Sequence, residues 1–111
     1  MCVQYLTTVN VDWVKTHFDL DLPAALPHDV FPTYPGTIIL KSHNTQRTAI
    51  GPARFGLIPS WAKDEDFGRK TYNARSETVS DKPSYKSAWS KRRYALALAD
   101  AFYEPCYESG K

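Results

Sequence analysis

Long apolar runs are missing from this 111-residue sequence. No stretch approaches the ~20 consecutive apolar residues a bilayer-spanning helix needs, so a spanning helix is not expected. The N-terminus also lacks the charged, then apolar, then small-residue layout of a secretion signal. The expectation is a soluble, cytoplasmic protein, nucleoid-associated if bacterial. Cysteine is scarce, with only Cys2 and Cys106, and without an export signal a structural disulfide is not expected. Neither cysteine stands in a CxxC spacing, and His17, His28 and His43 are scattered, with no HxxxH spacing. Neither a metal nor another cofactor is therefore expected. There is no internal repeat and no low-complexity tract, which points to one domain.

What the sequence does have is segregated charge. Residues 1–40 hold Lys15 against four Asp, a balance of −3. Residues 41–93 hold twelve Lys/Arg against five Asp/Glu, a balance of +7, and residues 94–111 return to −2. A basic middle of this density fits an anionic partner, and an extended phosphate backbone best of all. A solvated face of interspersed ion pairs is the alternative on charge alone.

Read for elements, residues 2–8 form a short strand. Asn10 caps a helix over 11–18, with Val11, Val14 and Phe18 on one face. Residues 19–36 carry Pro23, Pro27, Pro32, Pro35 and Gly36, and read as a loop without regular structure. Strands are predicted at 37–41 and 53–58, with a polar turn at 64–70. Pro83 and Ser84 open a short helix with Tyr85, Ala88 and Trp89 along one side. The apolar run 94–103 fits helix or strand by period, and its aromatics favour strand. The chain closes on Ser109-Gly110-Lys111, which reads as a hairpin tip without its return strand. The expected architecture is α+β: a mixed, mostly antiparallel sheet or open barrel with short helices. It forms a single domain over 1–111, incomplete at its C-terminus.

Four groups of residues can carry chemistry. If processing removes Met1, Cys2 presents an α-amine and a thiol on adjacent carbons. Such an amine ordinarily titrates at about 7.7–8.0, so it is partly neutral at physiological pH. A 1,2-aminothiol of this kind condenses with an aldehyde to an imine, which the thiol closes to a thiazolidine. An ordinary buried cysteine is the alternative. Within Tyr72-Asn73-Ala74-Arg75-Ser76-Glu77-Thr78, the last six residues gather an amide, a guanidinium, two hydroxyls and a carboxylate, suited to holding an amine, a sugar or a phosphate. A surface turn with Arg75 paired to Glu77 would explain the same residues. Glu104 follows an apolar run beside aromatics, where partial burial suits a carboxyl to proton transfer, although a solvated carboxylate is equally consistent. Phe55-Gly56-Leu57-Ile58-Pro59-Ser60-Trp61-Ala62 offers rings that stack on unpaired bases, or a core strand and turn.

In this order, Cys2, FGLIPSWAKD, NARSET, KPS, KRR and an ADAFYE segment closely resemble the SRAP (SOS-response-associated peptidase) family. That family includes bacterial and eukaryotic abasic-site shields. The resemblance runs from Cys2 to about Glu104 and covers the N-terminal half or so of a typical family domain. It implies an SRAP-like fold and a function as sensor and shield of abasic sites in single-stranded DNA, with a lyase-type crosslinking activity. Cys2 would be the nucleophile, Asn73 would position the reacting amine and sugar, and Glu104 would serve as acid/base. Arg75 would contact phosphate, and Pro59 and Trp61 would border the DNA path. With the basic middle, the expected DNA-contacting set is Arg75, Trp61, Pro59, Arg54, Lys63 and Glu77. The expected partner is single-stranded DNA bearing abasic sites, bound by a monomer with no membrane or metal involved.

The sequence also departs from the family pattern. Val3-Gln4 stands where the family usually has Gly-Arg, Phe55 where Trp is common, and Ala101 and Pro105 within the family's ADGFYEW. The family's catalytic histidine has no counterpart, because all three histidines precede the motifs. The alternatives are a cysteine peptidase acting on its own N-terminus or on proteins, a non-catalytic single-strand-binding module, and an inactive fragment.

Overall fold

The computed structural model describes residues 2–23 and 25–104. Met1, Pro105, Cys106 and the hairpin tip expected at 109–111 lie outside the described residues.

Strand β1 (Gln4–Thr7) leads through Thr8 and Val9 into helix α1 (Val11–Phe18). The helix starts where the sequence says it should, because the Asn10 side chain accepts a hydrogen bond from the Trp13 amide at 3.0 Å. It stops at Asp19, in the left-handed conformation with φ 55°, and Lys15 reaches back to Asp19 at 3.3 Å. Val14 is fully buried, whereas Val11, expected on the same face, is exposed.

The proline-rich stretch is not wholly irregular. It contains a two-residue strand β2 (Asp29–Val30), which pairs antiparallel with β1 through Tyr5 and Val30. Strand β3 (Pro35–Lys41) then forms a hairpin with β4 (Thr48–Arg54), in register from Pro35–Arg54 to Lys41–Thr48. The sequence pattern predicts this second strand at 53–58. The hairpin instead ends near Phe55, and Gly56 turns away at φ +124°. Gly51 and Pro52 look like strand breakers, but β4 is an edge strand, where a residue without an N–H is tolerated.

A 3₁₀ helix (Glu65–Lys70) follows, capped by the Asp64 carboxylate on the Asp66 amide at 3.0 Å. Helix α2 (Lys86–Ser90) begins after Tyr85, three residues later than Pro83 suggests. The run 94–103 becomes two strands, β5 (Ala95–Ala97) and β6 (Ala99–Tyr103).

The strands make two small antiparallel sheets, ordered β2–β1–β6 and β4–β3–β5, and they are open rather than closed. All the strand pairings among the described residues are antiparallel. Leu98, between β5 and β6, is where one chain segment crosses from one sheet to the other. It is buried, and its carbonyl accepts from the Thr8 amide at 3.0 Å and the Thr7 hydroxyl at 3.2 Å. Its own amide donates to the Thr37 carbonyl at 3.0 Å, and the Thr37 amide donates to the Thr7 hydroxyl at 3.2 Å. A buried threonine thus pins β1, β3 and the crossover together. Beside this seam lies the core of Val14, Ile39 and Leu98, flanked by Phe18, Leu20, Leu22 and Ile50.

Candidate active site

Strands β1 and β6 fix one end of the site. Gln4 faces Tyr103, and the Val3 amide donates to the Tyr103 carbonyl at 3.0 Å. Just beyond these paired residues, Cys2 and Glu104 therefore come to the same end of the ladder. Cys2 is half-buried, and its thiol approaches the Gln4 carbonyl at 3.5 Å.

Asn73 is brought to this point from 71 residues away. Its Nδ2 donates to the Cys2 carbonyl at 2.7 Å. Thr71 anchors the segment that carries it, with its hydroxyl on the Leu57 carbonyl at 2.5 Å and its amide on the Gly68 carbonyl at 3.3 Å. That anchoring depends on Gly56 and Gly68 passing so closely that a Cβ on Gly56 would collide with the Gly68 backbone. Edge-to-face rings complete the support: Tyr5 on Phe55 at 5.2 Å and Phe55 on Tyr72 at 5.6 Å. Phe55 is thus the middle ring linking β1 to the residue before Asn73. Tyr85 donates from its hydroxyl to the Asn73 carbonyl at 2.7 Å.

The Tyr5 phenol is pushed above its ordinary value of 10.0, first by burial and then by the negative charge of a Cys2 thiolate. It therefore stays a neutral hydroxyl near Cys2 throughout the physiological range.

The remaining expected site residues are spread along a neighbouring surface. Arg75 is exposed and its Nε lies 3.3 Å from Glu77. Glu77 is held below its ordinary value by a hydrogen bond from its own backbone amide to its carboxylate and then by Arg75. Two residues expected on DNA therefore meet each other here. Arg54 pairs with Glu65 at 3.0 Å, at the start of the 3₁₀ helix. Trp61 is 55% exposed, set edge-on to Phe67 at 5.1 Å, with Lys70 5.7 Å above the Phe67 ring. It stands between two open grooves. One, of about 450 Å³, has Lys63, Phe67 and Lys70 in its walls. The other, of about 280 Å³, has Pro59, Lys91 and Arg93. Asp64 and Asp66 also line the first groove and balance its two lysines, whereas Lys91 and Arg93 face no carboxylate in the second among the described residues, an arrangement suited to a backbone phosphate beside a stacked base.

The histidines lie elsewhere. His17 bonds the Trp13 carbonyl on α1 at 2.9 Å, and His43 sits in the turn between β3 and β4. The His28 carbonyl pairs with the Thr7 amide, and its ring faces Asp100 at 3.8 Å. His28 is therefore at the far end of β1 from Cys2, roughly 15 Å away at about 3.3 Å per residue. Among the described residues, no three His, Cys, Asp or Glu side chains are grouped to hold a metal ion, and no helix is long and apolar enough to cross a membrane.

The profile of the SOS response associated peptidase (SRAP) family matches residues 1–111. The chain belongs to the SRAP family. Its relatives include "Abasic site processing protein YoqW" of Bacillus subtilis, 37% identical over 107 residues, covering 94% of this chain and 47% of YoqW. "Abasic site processing protein HMCES" of Rattus norvegicus is 40% identical over 67 residues, 58% of this chain and 19% of HMCES. A crystal structure of a protein from Bordetella bronchiseptica superposes with a TM-score of 0.80 at 31% identity, covering 99% of this chain and 54% of that one. The chain spans about half the length of the curated bacterial relatives it matches. At this candidate site, the resemblance read from the sequence points to Cys2, Asn73 and Glu104 but gives no site role to Tyr5, Thr71 or Tyr85. Thr71 and Tyr85 act through hydrogen bonds between distant segments. Tyr85 stands in plain view in the KPSY segment, where its helical spacing suggests only a packing face.

Proposed function

We propose that this SRAP chain senses and shields abasic sites in single-stranded DNA by forming a covalent adduct through Cys2 once Met1 is removed. The observation that carries this reading is the Asn73 amide on the Cys2 carbonyl at 2.7 Å, with Glu104 at the same strand end. A terminal residue ordinarily frays. One whose carbonyl is held by a side-chain amide presents its amine and thiol in a fixed direction, and that fixation is what an intramolecular ring closure needs.

The chemistry balances without an external redox partner. Glu104 assists opening of the abasic deoxyribose to its aldehyde by proton transfer. The neutral α-amine of Cys2 adds to the aldehyde carbon, and loss of water gives the imine. The thiol adds to the imine carbon and its proton passes to the nitrogen, which closes the thiazolidine. DNA is held by phosphate contacts from the cations around Trp61 and by a base stacked on the indole. Arg75 joins them by exchanging Glu77 for a phosphate, and Arg54, Lys63, Pro59 and Glu77 border the path.

A peptidase using Cys2 would need a base beside the thiol, and the positions of the three histidines do not favour that reading. The test is to incubate the processed chain with abasic single-stranded DNA and resolve the products under denaturing conditions. A shifted band with the wild type, absent with Cys2→Ala, is expected. Absence of any adduct, or equal yield from Cys2→Ala, overturns the reading.

A further inference from the structure

Both ends of Asn73 are held. Its side chain reaches Cys2, and its main-chain carbonyl accepts the Tyr85 hydroxyl at 2.7 Å. Residues 73 and 85, twelve positions apart, thereby close a loop that also contains Arg75 and Glu77. Internal turns stiffen the loop: the Val79 amide donates to the Arg75 carbonyl at 2.9 Å, and the Lys82 amide to the Thr78 carbonyl at 2.9 Å. Tyr85 is itself fixed by its amide on the Lys82 carbonyl at 3.0 Å and by the Trp89 amide on its own carbonyl at 2.9 Å. A rigid ring on a fixed backbone therefore sets where Asn73 stands.

We propose that Tyr85 is a positioning residue for the N-terminal nucleophile, acting through the Asn73 main chain to aim the Asn73 amide at Cys2. The proposal rests on the adduct-forming reading of Cys2 for its kinetic consequence. Its structural content, a hydroxyl-to-carbonyl-to-amide linkage ending on Cys2, stands apart from that reading. Burial raises the Tyr85 phenol above its ordinary 10.0, so the hydroxyl keeps its proton and remains a donor across the range where the amine of Cys2 first becomes neutral. Tyr85 acts on Cys2 only through Asn73, and the turns closed by the Val79 and Lys82 amides hold Arg75 without its hydroxyl, so removing that hydroxyl should slow ring closure without weakening DNA capture.

The test uses the full chain freed of Met1, with Tyr85→Phe, Asn73→Ala and the double variant. Phenylalanine keeps the ring and removes only the donor. Two readouts are taken. The first is the ¹⁵N NMR signal of the Asn73 side-chain amide, expected to move toward the position of an exposed asparagine in Tyr85→Phe. The second is the adduct rate against concentration of abasic single-stranded DNA. The maximum rate should fall roughly 3- to 10-fold, the effect of one hydrogen bond, while the half-saturating concentration stays put. In the Asn73→Ala background, Tyr85→Phe should have no further effect, because its route to Cys2 is gone. An unmoved Asn73 signal, or the same fold-loss in both backgrounds, overturns the proposal. If the wild type forms no adduct, the abasic-site reading fails, and the Asn73 signal alone decides the role of Tyr85.

Discussion

Among the described residues, Asn73, Glu104 and Tyr5 come to the Cys2 end of the ladder in different ways. Asn73 bonds the Cys2 carbonyl, Glu104 follows the strand paired with β1, and Tyr5 lies close enough to feel a thiolate charge. Asn73→Ala should lower the adduct rate roughly 10- to 100-fold while leaving the fold intact, because the amine loses its fixed direction; quench-flow and circular dichroism on the same sample check both halves. The adduct rate should rise between about pH 7 and 9 as the amine loses its proton, with the midpoint near the ordinary α-amine value of about 7.7–8.0. Tyr5 predicts the alkaline behaviour. Its phenol is raised in the folded chain, so the folded state holds a proton that the unfolded state gives up first. Its contribution to stability is therefore complete below the ordinary value of 10.0 and is lost as pH rises through the folded value. Thermal melts from about pH 8 to 11 should fall more steeply for the wild type than for Tyr5→Phe. Cys2 and Asn73 stand out only through the ordered motifs that resemble the SRAP family, and residue type or local spacing alone does not bring them together. Their association links positions 71 residues apart through a side-chain amide, and no local pattern encodes that distance.

Among the elements, those set by local chemistry are the readable ones. Helix α1 follows its Asn10 cap and ends near Asp19 as its sequence dictates. Strand β4 is displaced from its expected position because Gly51 and Pro52 read as breakers, and only its place at a sheet edge makes them harmless. The split of 94–103 at Leu98 is invisible for a similar reason. The two halves pair with different strands, β3 and β1, and the choice is made by tertiary contacts. The Thr7 hydroxyl at that split accepts from Thr37 and donates to Leu98 inside the protein. Thr7→Val leaves a buried amide without its partner, and should destabilise by about 1–3 kcal/mol in a denaturant titration. Gly36 belongs to the same region: a Cβ there would strike the Tyr5 hydroxyl, so Gly36→Ala should also lower the melting temperature.

The whole molecule carries its charge unevenly, and the ion pairs refine what that means. Arg54, Arg69 and Arg75 are engaged by Glu65, Asp66 and Glu77, so net charge alone overstates the cations poised for phosphate. Lys63 and Lys70 share one groove beside Trp61 with Asp64 and Asp66, while Lys91 and Arg93 line the other with no carboxylate among the described residues. Phosphate contacts from these four cations and from Arg75 on a single strand predict a slope of about −3.5 in log affinity against log salt. Trp61→Ala should weaken binding by about 1–3 kcal/mol with that slope unchanged, since stacking releases no counterions; fluorescence anisotropy over a salt series separates the two.

The most direct measurement is intact mass spectrometry of the chain after incubation with a single-stranded oligonucleotide carrying one abasic site. The processed protein should gain the mass of the oligonucleotide less one water and keep it through denaturation, while Cys2→Ala and a chain retaining Met1 gain nothing. The same adduct from the Met1-retaining chain, or none from the processed one, would contradict a thiazolidine on Cys2.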